Sequence, residues 1–270
     1  MRRVPFVGAK PRVFGHRGAA GLAPENTLPS FALGLALGAD VLELDVHASR
    51  DGVIVVMHDP DLERTTNGIG PVREQRWTAL QSLDAGHQFS RDGRDFPYRG
   101  HGVRIPSLEE LLRVFPHAPC NIEIKQEDPP IAEEVVRLLH RAGAQERVLL
   151  AAERDSIMAE IRRYAGDIPS SCTASEVAAF ISRLTTADFD GYQPPGCALQ
   201  IPPRFGPIEL VTADSVAAAH RCGLEMHVWT INQRDEMELL LALGVDGIMS
   251  DLPGVARIAV DKTRMQEGEC

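Results

Sequence analysis

Strand-like apolar runs alternate with helix-like segments along nearly the whole chain, and this alternation limits the possible folds more than any other feature. The strand-like runs begin near residues 13, 41, 121, 147, 170, 198, 225 and 246. Most of them are followed by an amphipathic or capped helical segment, which is typical of repeated βα units. Eight such units in 270 residues predict a (β/α)₈ TIM barrel, with a doubly wound open sheet as the second choice.

Capping residues support this segmentation. Thr27 is a suitable N-cap for a helix that runs to about Leu37, and Gly38 can end that helix. Ser107 is placed in the same way before a helical segment over residues 108–114. Helix boundaries therefore fall between the strand-like runs, as a barrel of alternating units requires.

A long segment, residues 60–104, interrupts the alternation just after an extra strand-like run over residues 53–57. It is rich in Gly, Asp and Arg, and only a short run near residues 77–83 has a helical pattern. Its larger apolar side chains are Trp77, Leu80, Leu83, Phe89, Phe96 and Tyr98. We expect an ordered insertion that caps the active-site face of one domain spanning residues 1–270.

Composition excludes several classes of protein. The hydrophobic fraction of 44% supports a sizeable core, and the net charge of −10 argues against nucleic-acid binding. No apolar run approaches the about 20 residues of a membrane span, and none follows Arg2-Arg3 as in a signal peptide. The five cysteines are widely spaced, which predicts neither a zinc site nor a disulfide framework. We expect a soluble cytoplasmic protein without stable membrane association.

Two carboxylates lie two residues apart on the second strand. Glu43 and Asp45 must share one face, while Leu42, Leu44 and Val46 face the covering helices. In a barrel the Glu43 face is the interior, where two carboxylates repel each other and lose hydration. A divalent cation would relieve both penalties, and so would interior Arg or Lys side chains; this strand alone favours neither interpretation.

Glu123 and Lys125 repeat this spacing on the next barrel strand. The simple interpretation is an internal Glu–Lys pair, but side chains two apart on a strand do not pair ideally. With Glu43 and Asp45 next to them, we favour a cation bound by Glu43, Asp45 and Glu123, with Lys125 adding positive charge for a phosphate. Three carboxylates suit Mg²⁺, Ca²⁺ or Mn²⁺ better than Zn²⁺, which prefers nitrogen or sulfur ligands.

Two histidines end strand-like runs, at the barrel face where TIM-barrel chemistry takes place. Because an unperturbed histidine side chain titrates near neutrality, one of His16 and His58 can act as base and the other as acid across a phosphorus atom. Arg17 offers a planar fork for phosphate oxygens. A single strand histidine is usually structural, but two that flank the carboxylates favour catalysis. Of the other seven histidines, His47 and His227 need checking, and His227 is expected to fill the barrel.

These motifs together resemble the glycerophosphodiester phosphodiesterase family. In chain order they are His16-Arg17-Gly18, Pro24-Glu25-Asn26-Thr27, Glu43-x-Asp45, His58-Asp59, Thr65-Thr66-Asn67-Gly68, Asn121-x-Glu123-x-Lys125, Val228-Trp229-Thr230-Ile231-Asn232 and Asp246-Gly247-Ile248. No single motif would suffice, but the combination is specific and covers about residues 12–254. The TIM barrel of this family agrees with the count of strand–helix units.

The resemblance implies hydrolysis of a small glycerophosphodiester to glycerol 3-phosphate and an alcohol, as in glycerol and lipid metabolism. It also implies one bound divalent cation, Mg²⁺ or Ca²⁺, with Mn²⁺ possible. The implied roles are acid and base for His16 and His58, phosphate binding for Arg17 and Lys125, metal ligation for Glu43, Asp45 and Glu123, a pocket wall for Trp229, and orientation of neighbouring groups for Glu25 and Asn26.

The chain departs from the family pattern at two places near the expected pocket rim, Ala151-Ala152-Glu153-Arg154 and Leu199-Gln200-Ile201-Pro202. These departures leave the alcohol open. One alternative is lysophospholipase D-like hydrolysis of lysophospholipids, with Phe89, Phe96 and Tyr98 lining a greasy cleft; the acidic composition weighs against it. The other is a catalytically inactive barrel that binds phosphate esters, which the full set of catalytic residue types weighs against.

Overall fold

A computed structural model describes residues 3–186 and 188–268 of the chain. Its strands are β1 (Arg12–Gly15), β2 (Val41–Ala48), β3 (Ile54–Val56), β4 (Cys120–Ile124), β5 (Val148–Ala151), β6 (Ala198–Ile201), β7 (Arg204–Phe205), β8 (Ile208–Glu209), β9 (Glu225–Val228) and β10 (Gly247–Ser250). Within these residues, seven strands pair in the order β5-β4-β2-β1-β10-β9-β6, and all these pairs are parallel. The predicted TIM barrel is confirmed.

The segment 169–172 occupies the position of the eighth barrel strand, between β5 and β6. Its backbone N–H groups donate to a β5 carbonyl at 2.9 Å and to a β6 carbonyl at 2.8 Å, and these bonds close the barrel. Only an isolated bridge forms at Ser170, so the strand predicted to begin near residue 170 is not regular. Pro169 has no N–H to donate, which shortens the ladder in this segment.

The helices of the described residues alternate with the barrel strands. They are α1 (Leu28–Ala36), α2 (Trp77–Leu80), α3 (Leu108–Val114), α4 (Ala132–Arg141), α5 (Asp155–Tyr164), α6 (Ala174–Thr186), α7 (Ala213–Arg221), α8 (Arg234–Ala242) and α9 (Pro253–Gly268). The side chains of Thr27 and Ser107 cap α1 and α3 as predicted. Helix α9 and the β7–β8 hairpin were not predicted. Among the described residues, no helix combines the length and apolar character needed to span a bilayer.

The two faces of β2 separate packing from chemistry. Leu42, Leu44 and Val46 are fully buried in an apolar layer with residues of α3, α4 and α5. Alternation along the strand turns Glu43 and Asp45 the other way, into the barrel, where they are 3% and 1% exposed. The helix layer therefore stabilises the strand whose opposite face carries the carboxylates.

Strand β3 returns antiparallel along the end of β2, with Val56 opposite Val46. The backbone N–H of Met57 then donates to the Asp45 carbonyl at 2.9 Å. This return brings the next residue, His58, back to the level of Asp45. The short hairpin between β2 and β3 therefore positions one of the two predicted catalytic histidines.

The insertion, residues 60–104, folds onto β3 through an apolar cluster. Its buried members are Val55, Met57, Leu62, Val72, Leu80, Ala85, Val103 and Ile105. Trp77, Leu83 and Tyr98 pack against this cluster, and Phe89 meets Tyr98 edge-on at 5.3 Å between ring centroids. The apolar side chains expected to order the insertion are thus largely used inside it.

Ion pairs to the largely buried Glu225 close the opposite, N-terminal end of the barrel. Glu225 accepts from Arg12 Nη1 at 2.9 Å, and Lys10 Nζ lies 3.0 Å from its other oxygen. Burial alone would raise the pKa of Glu225, but the hydrogen bonds from His227 and Lys10 and the charge of Arg12 outweigh it and lower the pKa to about 2. Ionised Glu225 therefore stabilises the fold.

We expect Glu225→Gln to lower the free energy of unfolding at pH 7 by about 1–2 kcal/mol, allowing for solvent screening. Because the folded-state pKa is lowered from 4.5 to about 2, this contribution is present above about pH 4.5 and is lost as the pH falls toward 2. Urea unfolding at pH 7 and pH 3 checks both statements, with the exposed Glu209→Gln as control. A difference that stays constant with pH would contradict this account.

Candidate active site

Three carboxylates converge inside the barrel toward the C-terminal ends of its strands. The register of β2 and β4 places Asp45 directly opposite Glu123. One oxygen from each of Glu43, Asp45 and Glu123 lies within 4.8 Å of the other two. The structure therefore brings together the three residues that the sequence assigned to a cation.

The pKa values of this cluster reflect crowded negative charge. Burial and the adjacent Asp45 raise the pKa of Glu43 to about 7. Burial would also raise the pKa of Asp45, but the charges of Lys125 and Arg17 outweigh it and lower that pKa. Burial raises the pKa of Glu123, partly offset by Lys125. Three carboxylates thus face two cationic side chains, and this all-oxygen set fits a hard divalent ion.

Lys125 corrects one expectation from the sequence. The spacing argued against a Glu123–Lys125 pair, yet Lys125 Nζ lies 2.7 Å from Glu123 Oε1 and 3.3 Å from Asp45 Oδ1. Strand β4 ends at Ile124, so Lys125 has left strand geometry and its side chain can turn back across the mouth. The pair and the carboxylate cluster therefore coexist.

Arg17 lies in a tight turn immediately after β1. Its φ of 49° and the φ of 92° at Gly18 are both left-handed, and they turn the chain across the barrel mouth. The Arg17 backbone N–H donates to Glu43 Oε2 at 2.9 Å. Its guanidinium donates to Glu25 Oε1 at 2.8 Å and lies 3.3 Å from Asp45 Oδ2. The turn thus fixes a planar cation beside the acidic cluster.

Asn26 fixes the same carboxylate from the following loop. Its Nδ2 donates to Asp45 Oδ2 at 2.9 Å, and its Oδ1 accepts from the Asp45 backbone N–H at 3.3 Å. Its own backbone N–H donates to the Arg17 carbonyl at 3.0 Å, with Asn26 at φ 56°. This two-way amide contact holds Asp45 and the loop in one arrangement.

The two predicted catalytic histidines share one hydrogen-bonding arrangement. His16 Nδ1 lies 2.7 Å from Asp251 Oδ1, and His58 Nδ1 lies 2.6 Å from Asp59 Oδ1. A carboxylate on Nδ1 leaves Nε2 as the nitrogen available for proton transfer. His16 Nε2 is 4.0 Å from Glu43 Oε2. Burial would lower the pKa of His16, but the Asp251 hydrogen bond and the charge of Glu43 outweigh it and raise that pKa.

Four residues that form hydrogen bonds around the histidines were not assigned a role in the sequence analysis. Asp59 and Asp251 hold the histidines, Asn232 Nδ2 donates to Asp251 Oδ2 at 2.7 Å, and Arg64 contacts Asp59 from the insertion. Asp251 directly follows β10, so a search for carboxylates after every strand would have found it. Arg64 carries no such signal, because its contact depends on how the insertion folds.

His47 and His227 are both held by hydrogen bonds to groups outside the acidic cluster. His47 Nε2 donates to the His58 backbone carbonyl at 3.0 Å, and burial lowers the pKa of His47. His227 is fully buried, and its two ring nitrogens contact Glu225 and Gln200 at 3.1 and 3.3 Å. His47 thus supports the backbone at His58, and His227 fills the barrel interior.

A cleft of about 650 Å³ opens beside the cluster. It is lined by His47, His58, Pro60, Asp61, Pro71, Arg73, Glu123, Ile124, Lys125, Gln126, Glu127, Asp128, Glu153, Arg154 and Ile157. The departure from the family pattern at Glu153-Arg154 therefore lies on its wall. Trp229, which is 41% exposed just after β9, is not part of this lining, and neither are Phe89, Phe96 and Tyr98.

The mouth of this TIM barrel holds three clustered carboxylates, two cationic side chains and two histidines paired with carboxylates, and these are groups that the hydrolysis of a phosphate ester requires. The sequence model of the glycerophosphoryl diester phosphodiesterase family matches residues 16–255. The chain belongs to this family, and it is a phosphodiesterase, as the resemblance predicted.

Individual relatives agree with this assignment. A glycerophosphodiester phosphodiesterase of Bacillus altitudinis is 32% identical over 90% of this chain and 95% of the relative. The crystal structure of a putative glycerophosphoryl diester phosphodiesterase from Silicibacter pomeroyi is 28% identical, with a TM-score of 0.77 over 96% of both chains. A phosphodiesterase of Oleispira antarctica, solved with its product sn-glycerol-3-phosphate, is 27% identical, with a TM-score of 0.74 over 93% of this chain and 97% of its own.

Cation binding should depend on Glu43. We expect Ca²⁺ or Mg²⁺ at about 100 times its Kd to stabilise the wild type by about 3 kcal/mol, and Glu43→Gln to bind about 10-fold more weakly. Without added cation at pH 8, Glu43→Gln should be at least as stable as the wild type. The reason is that the penalty for ionised Glu43 develops as the pH rises from 4.5 to about 7.

Melting temperatures and isothermal titration of chelator-treated protein measure these effects, with Glu146→Gln on the exposed surface as the matched control. If wild type and Glu43→Gln respond equally to the cation, or neither responds, the cation does not bind at these carboxylates.

Proposed function

We propose that this protein hydrolyses glycerophosphodiesters to glycerol 3-phosphate and an alcohol, with His16 and His58 as acid and base. The observation that carries the proposal is that a carboxylate holds Nδ1 of both histidines beside one acidic cluster. His227 also contacts a carboxylate, but it is fully buried in the barrel interior. His16 and His58 both lie beside one acidic cluster, where two histidines can supply both proton transfers of the reaction.

The acidic cluster and its neighbours would hold the charged part of the substrate. Glu43, Asp45 and Glu123 would bind Mg²⁺ or Ca²⁺, with Mn²⁺ also suited, and the ion would supply Lewis-acid stabilisation of phosphoryl charge. Arg17 and Lys125 would share the remaining phosphate charge through N–H donors. Both are already fixed by carboxylates, so little ordering remains when the substrate binds.

The histidines would carry the protons. Nε2 of one histidine takes the proton of the nucleophile, while Nε2 of the other gives a proton to the leaving alkoxide on the opposite side of phosphorus. The nucleophile is either water or the C2 hydroxyl of the substrate. With the C2 hydroxyl, the reaction would pass through a cyclic phosphate intermediate. Reaction in ¹⁸O-labelled water, with a search for the cyclic species, distinguishes the two routes.

We place the reaction in the cytoplasm. Cys120, Cys172 and Cys222 form no disulfides, which suits a reducing compartment. Burial raises the pKa of Cys120 to about 11 and that of Cys172 to about 12, so both thiols stay protonated and unreactive.

Removing either histidine should abolish most turnover. We expect His16→Ala and His58→Ala to lower kcat about 10²- to 10⁴-fold on glycerophosphocholine, since each removes one proton transfer. Release of glycerol 3-phosphate measures turnover, circular dichroism checks the fold, and the exposed helix residue His140 supplies the control, His140→Ala. Wild-type kcat in both variants would refute the assignment, and an inactive wild type with added Mg²⁺ or Ca²⁺ would favour a barrel that only binds phosphate esters.

The cleft favours a short, water-soluble substrate over a lysophospholipid. Its walls carry Asp61, Glu127, Asp128 and Arg154, which an acyl chain would have to desolvate. We expect kcat/KM to be about 10-fold or more higher for glycerophosphocholine than for monomeric long-chain lysophosphatidylcholine. The two substrates share the choline headgroup and differ only in the acyl chain. The reverse preference would favour the lysophospholipase D-like alternative.

A further inference from the structure

Arg64 is the one side chain of the insertion that contacts two carboxylates of the site network in the part of the chain that the structure describes. Its Nη1 and Nη2 donate to the two oxygens of Glu25, both at 2.7 Å. Its Nη2 also donates to Asp59 Oδ1 at 3.1 Å, and its Nε pairs with Asp59 Oδ2. One guanidinium thus grips two carboxylates that lie 34 residues apart in the chain.

Each of these carboxylates also holds a residue of the proposed machinery. Glu25 Oε1 accepts from Arg17 Nη1 at 2.8 Å as well as from Arg64. Asp59 Oδ1 contacts His58 Nδ1 at 2.6 Å as well as Arg64. Arg64 therefore connects, through one carboxylate each, the phosphate-binding arginine and one of the two histidines.

We propose that Arg64 is a positioning residue, which fixes Asp59, and through it the His58 ring, while it fixes Glu25 against Arg17. The inference rests on the proposed function, because it gives His58 and Arg17 their roles. The insertion then belongs to the active site through Arg64, rather than only covering it.

The geometry exceeds that of an ordinary surface ion pair. A single exposed pair contributes little, but a guanidinium that donates in a bidentate manner to two carboxylates fixes their planes as well as their charge. Burial would raise the pKa of Glu25 and of Asp59, yet hydrogen bonds from Arg64 help to lower both, that of Asp59 to about 2. Both carboxylates are therefore ionised and held throughout the working pH range.

Loss of Arg64 should affect turnover more than substrate binding. Asp59 would keep only His58 as a partner and could rotate with it, and displacement of a reacting group by about 1 Å can cost about 10²-fold in rate. Arg17 keeps its backbone bond to Glu43 and its contact with Asp45. We therefore expect Arg64→Ala to lower kcat about 10- to 100-fold and to change KM less than about 3-fold.

The decisive experiment measures kcat, KM and melting temperature for Arg64→Ala, Arg64→Lys and the control Arg141→Ala. Arg141 is also an exposed arginine paired with a carboxylate, but it lies on α4, away from the mouth. The side chain of Arg64 is 47% exposed, so added guanidinium can reach the vacated position. We expect low millimolar guanidinium to restore part of the kcat of Arg64→Ala, and Arg64→Lys to recover only part of it, because an ammonium lacks the planar fork.

Unchanged kcat in Arg64→Ala, with a wild type that is active and a His58→Ala variant that is not, overturns this inference and leaves the proposed function standing. A loss of kcat that follows a lowered melting temperature and resists guanidinium overturns it as well, since the role is then structural. If Arg64→Ala does not fold, Arg64→Gln is measured in the same way. A wild type without turnover overturns both the proposed function and this inference.

Discussion

The burial of three carboxylates side by side in the barrel mouth is the constraint on which the rest of the site depends. Each buried charge costs several kcal/mol unless it is compensated. Arg17, in the turn after β1, and Lys125, just after β4, supply part of the compensation. Glu43, whose pKa rises to about 7, shows that compensation by the protein alone is incomplete.

The barrel can carry this charge because packing and chemistry lie on opposite faces of the same strands. Leu42 and Leu44 lie in the apolar layer under the helices, and their burial does not depend on what the inner face carries. The parallel register of β2 and β4 then fixes which carboxylates meet. Because a slip of one residue would exchange the two faces, the same hydrophobic layer that stabilises the fold also sets the geometry of the site.

The sequence predicted what depends on local periodicity and failed where tertiary contacts decide. The alternation of apolar and acidic residues in β2 predicted that Glu43 faces the barrel interior, and Thr27 predicted the start of α1. The eighth barrel strand, segment 169–172, was only partly predictable. Pro169 has no N–H to donate, but the residues after it still form hydrogen bonds with the neighbouring strands. The Glu123–Lys125 pair was considered but disfavoured, because the spacing of strand residues does not describe Lys125, which follows the end of β4. Arg64 was missed because no local pattern shows which surface an insertion will meet.

Comparison of the two ends of the barrel shows that the shortage of positive charge around the buried carboxylates occurs at the mouth and not at the N-terminal end. Glu225 at the N-terminal end and Glu43 near the mouth are both largely buried acids inside one barrel. Glu225 contacts both Lys10 and Arg12, and its pKa falls to about 2. Glu43 lies beside another carboxylate, and its pKa rises. An acid that is already compensated can only stabilise the fold, whereas an uncompensated one stays available to bind a cation, and through it a phosphate.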